Sequence, residues 1–295
     1  MRLSKPVARL SAAERLNFLL TNRIPRRSLT LFMGRFSKLR NPVIRWLSMT
    51  LWKLFADDLR LFEAKKARFD SLHDCFIREL IPEARPIEPD PAVLVSPCDA
   101  VVGEFGDVKN LEVIQAKGFP YTIDDLLGDA ETAARYRNGR FVTLRLKSSM
   151  YHRFHAPAAG RVRSLRYISG DTWNVNPATL KVVERLYCKN ERVALELDLD
   201  DFDEPVMLVA VAAVLVASVR LHGLEQPLNL CYRGPNRIEL ERRYRRGEQI
   251  GYFEHGSTIV VLSSKRFRVA DGLASGGIIR MGQRLLQDST DTGAR

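Results

Sequence analysis

Apolar positions change their rhythm along this chain. In "VIRWLSMTLWKLF" and its continuation, Val43, Leu47, Leu51, Phe55, Leu59 and Phe62 recur at helical spacing with Trp46 and Trp52 beside them, and that spacing predicts an amphipathic helix. "RLNFLL" and "SLTLFMGRF" carry the apolar character further upstream. Beyond residue 92 the pattern shortens to strand-like runs: "AVLVSP", "DAVVGEF", "LEVIQA", "RFVTLRL", "RVRSLRYI", "RVALELDL", "PVMLVAVAAVLVASVRL" and "STIVVL". One helix is expected among them, at "TIDDLLGDAETAARYR". Between the two regions, "IPEARPIEPDPAVLVSP" holds Pro82, Pro86, Pro89, Pro91 and Pro97, which exclude regular helix and mark a linker. The expected fold class is α+β: a mostly β core, residues 76–295, with an N-terminal amphipathic helical appendage, residues 1–75.

Charge sharpens this division. The 295 residues carry a net charge of +11 and are 45% hydrophobic, enough apolar material for a core. Twelve basic residues and one acidic residue, Glu14, precede residue 56, so this segment's excess equals that of the whole chain. A basic nucleic-acid-binding tail would be polar throughout, whereas this segment is apolar as well. Arg45 and Lys53 interrupt its longest apolar run, which stays below the roughly 20 residues that span a bilayer. It is expected to lie on an anionic membrane surface, the alternative being a helix packed on its own core. No secretory signal is expected. Cys75, Cys98, Cys188 and Cys231 form no C-x-x-C pair and are expected to be reduced thiols.

Candidate chemistry concentrates in three short stretches. "MYHRFHAP" brings His152 and His155 together, and on a strand they would face opposite ways unless the turn at Pro157 bends them into one cleft. No further His or Cys at ligand spacing completes a metal site around them, so no metal is expected. "VSPCDAVVG" puts Asp99 at the start of an apolar strand, where a buried carboxylate needs a partner such as an imidazole. "GYFEHGSTIVVL" sets Gly256, Ser257 and Thr258 where a strand begins. There is no G-x-S-x-G elbow, so an ordinary serine hydrolase is poorly supported. What remains is attack by Ser257 on its own preceding carbonyl.

Taken in order, "FIRELIPEARPI", "SPCDAVVG", "QAKGFPYTIDDLLG", "YHRFHAP", "GDTWNVNP", "NERV" and "GEQIGYFEHGST" resemble the phosphatidylserine decarboxylase family, whose members make their own pyruvoyl cofactor. The chain departs from the family's usual residues at Cys98, Ala100 and His255, and by alanines in "VAVAAVLVAS". The resemblance implies that His155, oriented and charge-balanced by Asp99, takes the Ser257 proton. The alkoxide attacks the Gly256 carbonyl, the resulting ester eliminates to dehydroalanine, and hydrolysis with loss of ammonia leaves a pyruvoyl group at residue 257. The products would be a β-chain, residues 1–256, and an α-chain, residues 257–295. The pyruvoyl group would decarboxylate phosphatidylserine to phosphatidylethanolamine, with His152 positioning the carboxylate and reprotonating the carbanion. The family further implies a peripheral enzyme on the cytoplasmic face of the membrane and a homodimer of processed units; no nucleic-acid partner is expected, since the basic helices are also apolar and no binding motif is recognisable. The alternative is an unprocessed, non-catalytic relative that binds anionic membranes. Because Asp99, His155 and Ser257 all follow residue 55, self-cleavage is expected to survive removal of residues 1–55.

Overall fold

Strands Val206–Ala212 and Ser257–Ser263 each bury all seven of their residues. Unbroken burial of this kind requires cover on both faces of a sheet, and it explains their continuous Val, Ala, Ile and Leu content. The computed structural model describes residues 10–56, 59–115, 119–215, 218–254 and 257–290, and among them these two strands are neighbours at the middle of an eight-stranded antiparallel sheet. Its spatial order is Arg237–Tyr244, Gly160–Ile168, Arg192–Leu199, Val206–Ala212, Ser257–Ser263, Arg140–Leu146, Ala100–Asp107 and Ile278–Ile279. On one face Leu144, Leu208, Ile259 and Val261 pack with Phe154, Val219, Leu221 and Phe253. Those four come from a second sheet, ordered Leu228–Asn229, Ser218–Leu221, Gln249–Phe253 and Arg153–His155. The other face buries Val209, Val211, Val260 and Leu262 against Ile123, Leu126, Leu127, Leu186 and Tyr187. The fold is α+β with a mostly β core, as expected.

Two elements differ from expectation. "TIDDLLGDAETAARYR" forms two short helices, Ile123–Leu127 and Ala130–Ala134. Gly128 ends the first at φ +63° and Asp129 caps the second, so the break is built into that Gly-Asp pair. "PVMLVAVAAVLVASVRL" is likewise two strands, Val206–Ala212 and Ser218–Leu221, which belong to different sheets.

Among the described residues before residue 57 stand three helices. Ala12–Asn22 starts on a Ser11–Glu14 capping box. Arg26–Phe36 follows, and Pro42–Phe55 begins where the Asn41 side chain accepts from the Val43 and Ile44 amides. The expected stripe is cut short: the helix ends at Phe55 with Ala56 extended, Leu59 is buried, and Phe62 sits exposed in a short 3₁₀ turn. These helices turn polar side chains toward the core. Asn22 donates to Thr179 Oγ1 at 2.8 Å, Thr30 Oγ1 accepts from the Leu215 amide at 2.9 Å, and Arg26 pairs with Asp171 at 2.7 Å while stacking over Trp173. Leu16, Leu20, Phe32, Val43, Trp46, Leu47, Leu51 and Leu54 are exposed. The alternative of an amphipathic helix buried on its own core is therefore not what Pro42–Phe55 adopts. Among the described residues no helix is long and apolar enough to cross a membrane.

Candidate active site

Ser257 opens its strand between Leu146 on one side and Ala212 on the other. It is 0% exposed, and its hydroxyl has no hydrogen-bond partner among the described residues. A buried hydroxyl left unpaired costs free energy, which makes such a position a candidate for chemistry. His255 and Gly256, the two residues before it, lie outside the described residues.

His152 also carries a buried atom without a partner. Its Nδ1 lies 2.7 Å from the Met150 carbonyl, which can only accept, so Nδ1 carries the proton and Nε2 keeps its lone pair. That Nε2 is buried and unpartnered. The ring lies 4.0 Å from Phe76, which stacks in turn with Trp52. Burial is the main reason its pKa falls to about 3, with Arg78 adding to the effect, so the ring is neutral at pH 7.

His155 is held differently. Its Nδ1 donates to the carbonyl of Gly247 at 2.9 Å, and Nε2 meets the Tyr151 hydroxyl at 3.0 Å. Gly247 turns at φ +73°, a conformation that suits glycine, just before strand Gln249–Phe253. Burial lowers the His155 pKa to about 4, partly offset by the Gly247 carbonyl and the Asp99 charge. His152 precedes strand Arg153–His155 and His155 ends it, each with its own set of partners.

Asp99 is fully buried but does not pair with His155. Arg85 donates to both its oxygens, at 2.8 and 2.5 Å, Arg280 donates at 3.0 Å, and the Met281 amide at 2.9 Å. Two guanidinium groups hold a carboxylate more strongly than a neutral imidazole would. Arg85 also bonds Glu63, so the clamp reaches back toward the helical segment. A cavity of about 130 Å³, lined by Asp99, Arg85, Arg78 and Tyr151, lies between the carboxylate and the tyrosine. The chain around Asp99 is tied to His155 through its backbone, because the His155 amide donates to Pro97 at 2.8 Å. Arg85, Arg280 and Tyr151 are not among the residues singled out from sequence, although Tyr151 lies inside "MYHRFHAP" and Arg85 inside "FIRELIPEARPI".

A larger cavity, about 800 Å³, opens where the sheet ends. Leu146 and Ala213, next to Ser257 and its neighbour Ala212, line it from the core; Trp52 and Phe76 line it from the helical side, with Arg145 and Lys147 at its wall. Its size suits a ligand of tens of atoms. Among the described residues no group of three or more His, Cys, Asp or Glu side chains could hold a metal.

An α+β core, a buried serine at a strand start and an adjoining cavity accompany likeness to a set of enzymes made as precursors. The phosphatidylserine decarboxylase family model matches residues 72–287. Among curated relatives, a phosphatidylserine decarboxylase proenzyme of Methylibium petroleiphilum is 36% identical over 286 residues, 92% of this chain and 98% of the relative. One of Brevibacillus brevis is 33% identical over 270 residues, 90% and 95% of the two chains, and one of Bordetella pertussis 34% over 276, 88% and 90%. The class is that of decarboxylating lyases. The chain belongs to the phosphatidylserine decarboxylase family.

Proposed function

We propose that the chain cuts itself between Gly256 and Ser257 and then, with the pyruvoyl group left at residue 257, converts phosphatidylserine to phosphatidylethanolamine at a membrane surface. The observation that carries this reading is the buried, unpartnered Ser257 hydroxyl, on a residue whose strand partner Leu146 lines the large cavity. His155, neutral at pH 7, serves as the base for the serine proton, and Asp99 acts through its charge and through the Pro97 contact rather than by a direct hydrogen bond. The clamp on Asp99 spans the cut: Arg280 and Met281 would belong to the α-chain, Asp99 and Arg85 to the β-chain. Strand Ser257–Ser263 also stays paired on both sides, which supports two chains that remain one body after cleavage.

A pyruvoyl group at residue 257 fits its surroundings, since two orphaned polar atoms, Ser257 Oγ and His152 Nε2, are buried beside residues that line the cavity. The group supplies an electrophilic ketone and an electron-accepting carbonyl for loss of CO₂ from an α-amino acid. His152, next to the cavity, positions the lipid carboxylate and, with a proton taken up from water on Nε2, reprotonates the α-carbon that loses CO₂; the low basicity of the buried ring makes that protonated form a ready donor. The outward apolar faces of the N-terminal helices, with their cations, suit docking on an anionic bilayer that is also the source of substrate. Intact-mass measurement of purified protein tests the reading. The native chain should give two chains, one with a pyruvoyl terminus, whereas Ser257→Ala should remain a single chain near 33.6 kDa. A native protein that stays whole refutes the reading and favours the unprocessed membrane-binding relative.

A further inference from the structure

Glu254 is the last described residue before the proposed cut, three positions from Ser257. Its carboxylate is mostly buried and accepts a hydrogen bond from Lys38 Nζ at 2.9 Å. His73 Nε2 lies 3.6 Å from the same oxygen and Arg220 Nε 3.9 Å from it. Burial would raise the Glu254 pKa, but the Lys38 ammonium, through hydrogen bond and charge, brings it below the ordinary value, so the pair is ionic. Lys38 follows directly on the Arg26–Phe36 helix and its C-cap, Ser37. The buried Ser37 carbonyl accepts from the His73 amide at 2.9 Å, and His73 belongs to helix Leu72–Phe76. Two separate pieces of the N-terminal region therefore converge on the residue that leads into the scissile peptide. A second link runs parallel to the first, from Trp52 through Phe76 to His152.

From this convergence we infer that Lys38 and Glu254, backed by His73, are positioning residues for self-cleavage, and that processing depends on the N-terminal helices being seated on the core. The inference rests on the self-cleavage reading above and departs from the expectation that residues 1–55 are dispensable for cleavage. Attack of a hydroxyl on its neighbouring carbonyl needs the reacting atoms within roughly 3–3.5 Å, and a misplacement of about 1 Å can cost about 10²-fold. The main chain on one side of the cut is fixed by strand Ser257–Ser263. On the other side, the Lys38 pair and the bond from the Glu254 amide to the Ser218 carbonyl, at 3.2 Å, hold residue 254.

The test follows conversion of the freshly made full-length chain into two chains by gel and intact mass. Lys38→Met and Glu254→Gln should each slow cleavage by about tenfold or more, and Lys38→Arg, which keeps the charge, should restore most of the rate. The same substitutions in a Ser257→Ala background, where no cut occurs, report the thermal midpoint of the intact fold. Slow cleavage with a midpoint close to that of the background supports a positioning role. Cleavage at the native rate in Lys38→Met and Glu254→Gln overturns the inference and leaves self-cleavage standing. A loss that Lys38→Arg fails to restore and that follows a falling midpoint overturns it in favour of a purely structural ion pair. A native chain that never cleaves removes the underlying reading, and this inference with it.

Discussion

In strand Ser257–Ser263 all seven side chains are buried, while in helix Pro42–Phe55 Val43, Trp46, Leu47, Leu51 and Leu54 stand in solvent. The two segments have similar apolar content, and the core and the helical layer dispose of it in opposite ways. The core joins its layers by packing. The helical layer buries only a few apolar side chains on the core, Leu10 and Phe18 among them, and is joined to it also through polar groups: Asn22 to Thr179, Thr30 to Leu215, Arg26 to Asp171 and Lys38 to Glu254. Eleven of the fifteen large exposed apolar side chains among the described residues fall between residues 16 and 54. Exposed apolar side chains concentrated in this way, in a segment with twelve basic residues, are what the proposed docking on an anionic bilayer would use. Amphipathicity read from sequence thus says that a helix has two faces without saying which one meets the core.

If chemistry belongs to the core and docking to the helices, substitutions should separate them. The largest effect is expected in the core. His155→Ala should slow self-cleavage by about 10²–10⁴-fold, the usual contribution of a positioned base, without altering vesicle binding. His152→Ala should still cleave but release little CO₂. Gels and CO₂ release measure the two; cleavage lost in His152→Ala and retained in His155→Ala would reverse the assignments. A smaller effect is expected in the helical layer. Replacing Trp46, Leu47 and Leu54 together by Ser removes apolar side chains worth about 1.5–3 kcal/mol each when fully buried. Even partial insertion then predicts a fall of roughly 10- to 100-fold in partition onto phosphatidylserine vesicles, read by flotation. Self-cleavage should continue, since these side chains point away from the core. Unchanged partition would mean that the outward face has another use.

Much of this architecture can be read directly from residues. "STIVVL" reads as a strand because burial on both faces of a sheet demands an unbroken apolar run, and "RFVTLRL" because its β-branched and aromatic residues outweigh the two arginines. "RIELERRY", strand Arg237–Tyr244, did not, because it is an edge strand whose charged residues obscure the pattern. At the site, Ser257, His152, His155 and Asp99 stand out through their motifs. Their partners do not. Arg85 sits in what reads as a proline-rich linker, 14 residues from Asp99; Arg280 is 181 residues from Asp99, and Lys38 is 216 from Glu254. Local periodicity carries no information on pairings of that range, which the sheet topology creates.

The smallest effect expected is a pH dependence that belongs to the core. Burial holds His152 at a pKa of about 3 and His155 at about 4, against about 6.5 for an unfolded histidine. As pH falls below 6.5 the unfolded chain takes up protons that the folded core refuses, so stability is lost progressively down to about pH 4 for His155 and about pH 3 for His152. Glu191 works in the opposite sense. Its buried carboxyl is raised to about 7, so the folded chain binds that proton first and gains stability as pH falls from about 7 to the ordinary carboxylate range. A total curve would mix these contributions, and a difference between two chains separates them. In the Ser257→Ala background, a His152→Gln variant keeps Glu191, His155 and the helical ion pairs but lacks one proton-refusing group. Between pH 6 and pH 4.5 its unfolding free energy should depend on pH less steeply than that of the background, by up to about 1.4 kcal/mol per pH unit, the value of one proton. Urea unfolding across that range measures the slopes. Parallel slopes would mean that His152 already carries a proton in the folded chain, which would remove the neutral Nε2 lone pair assigned to it.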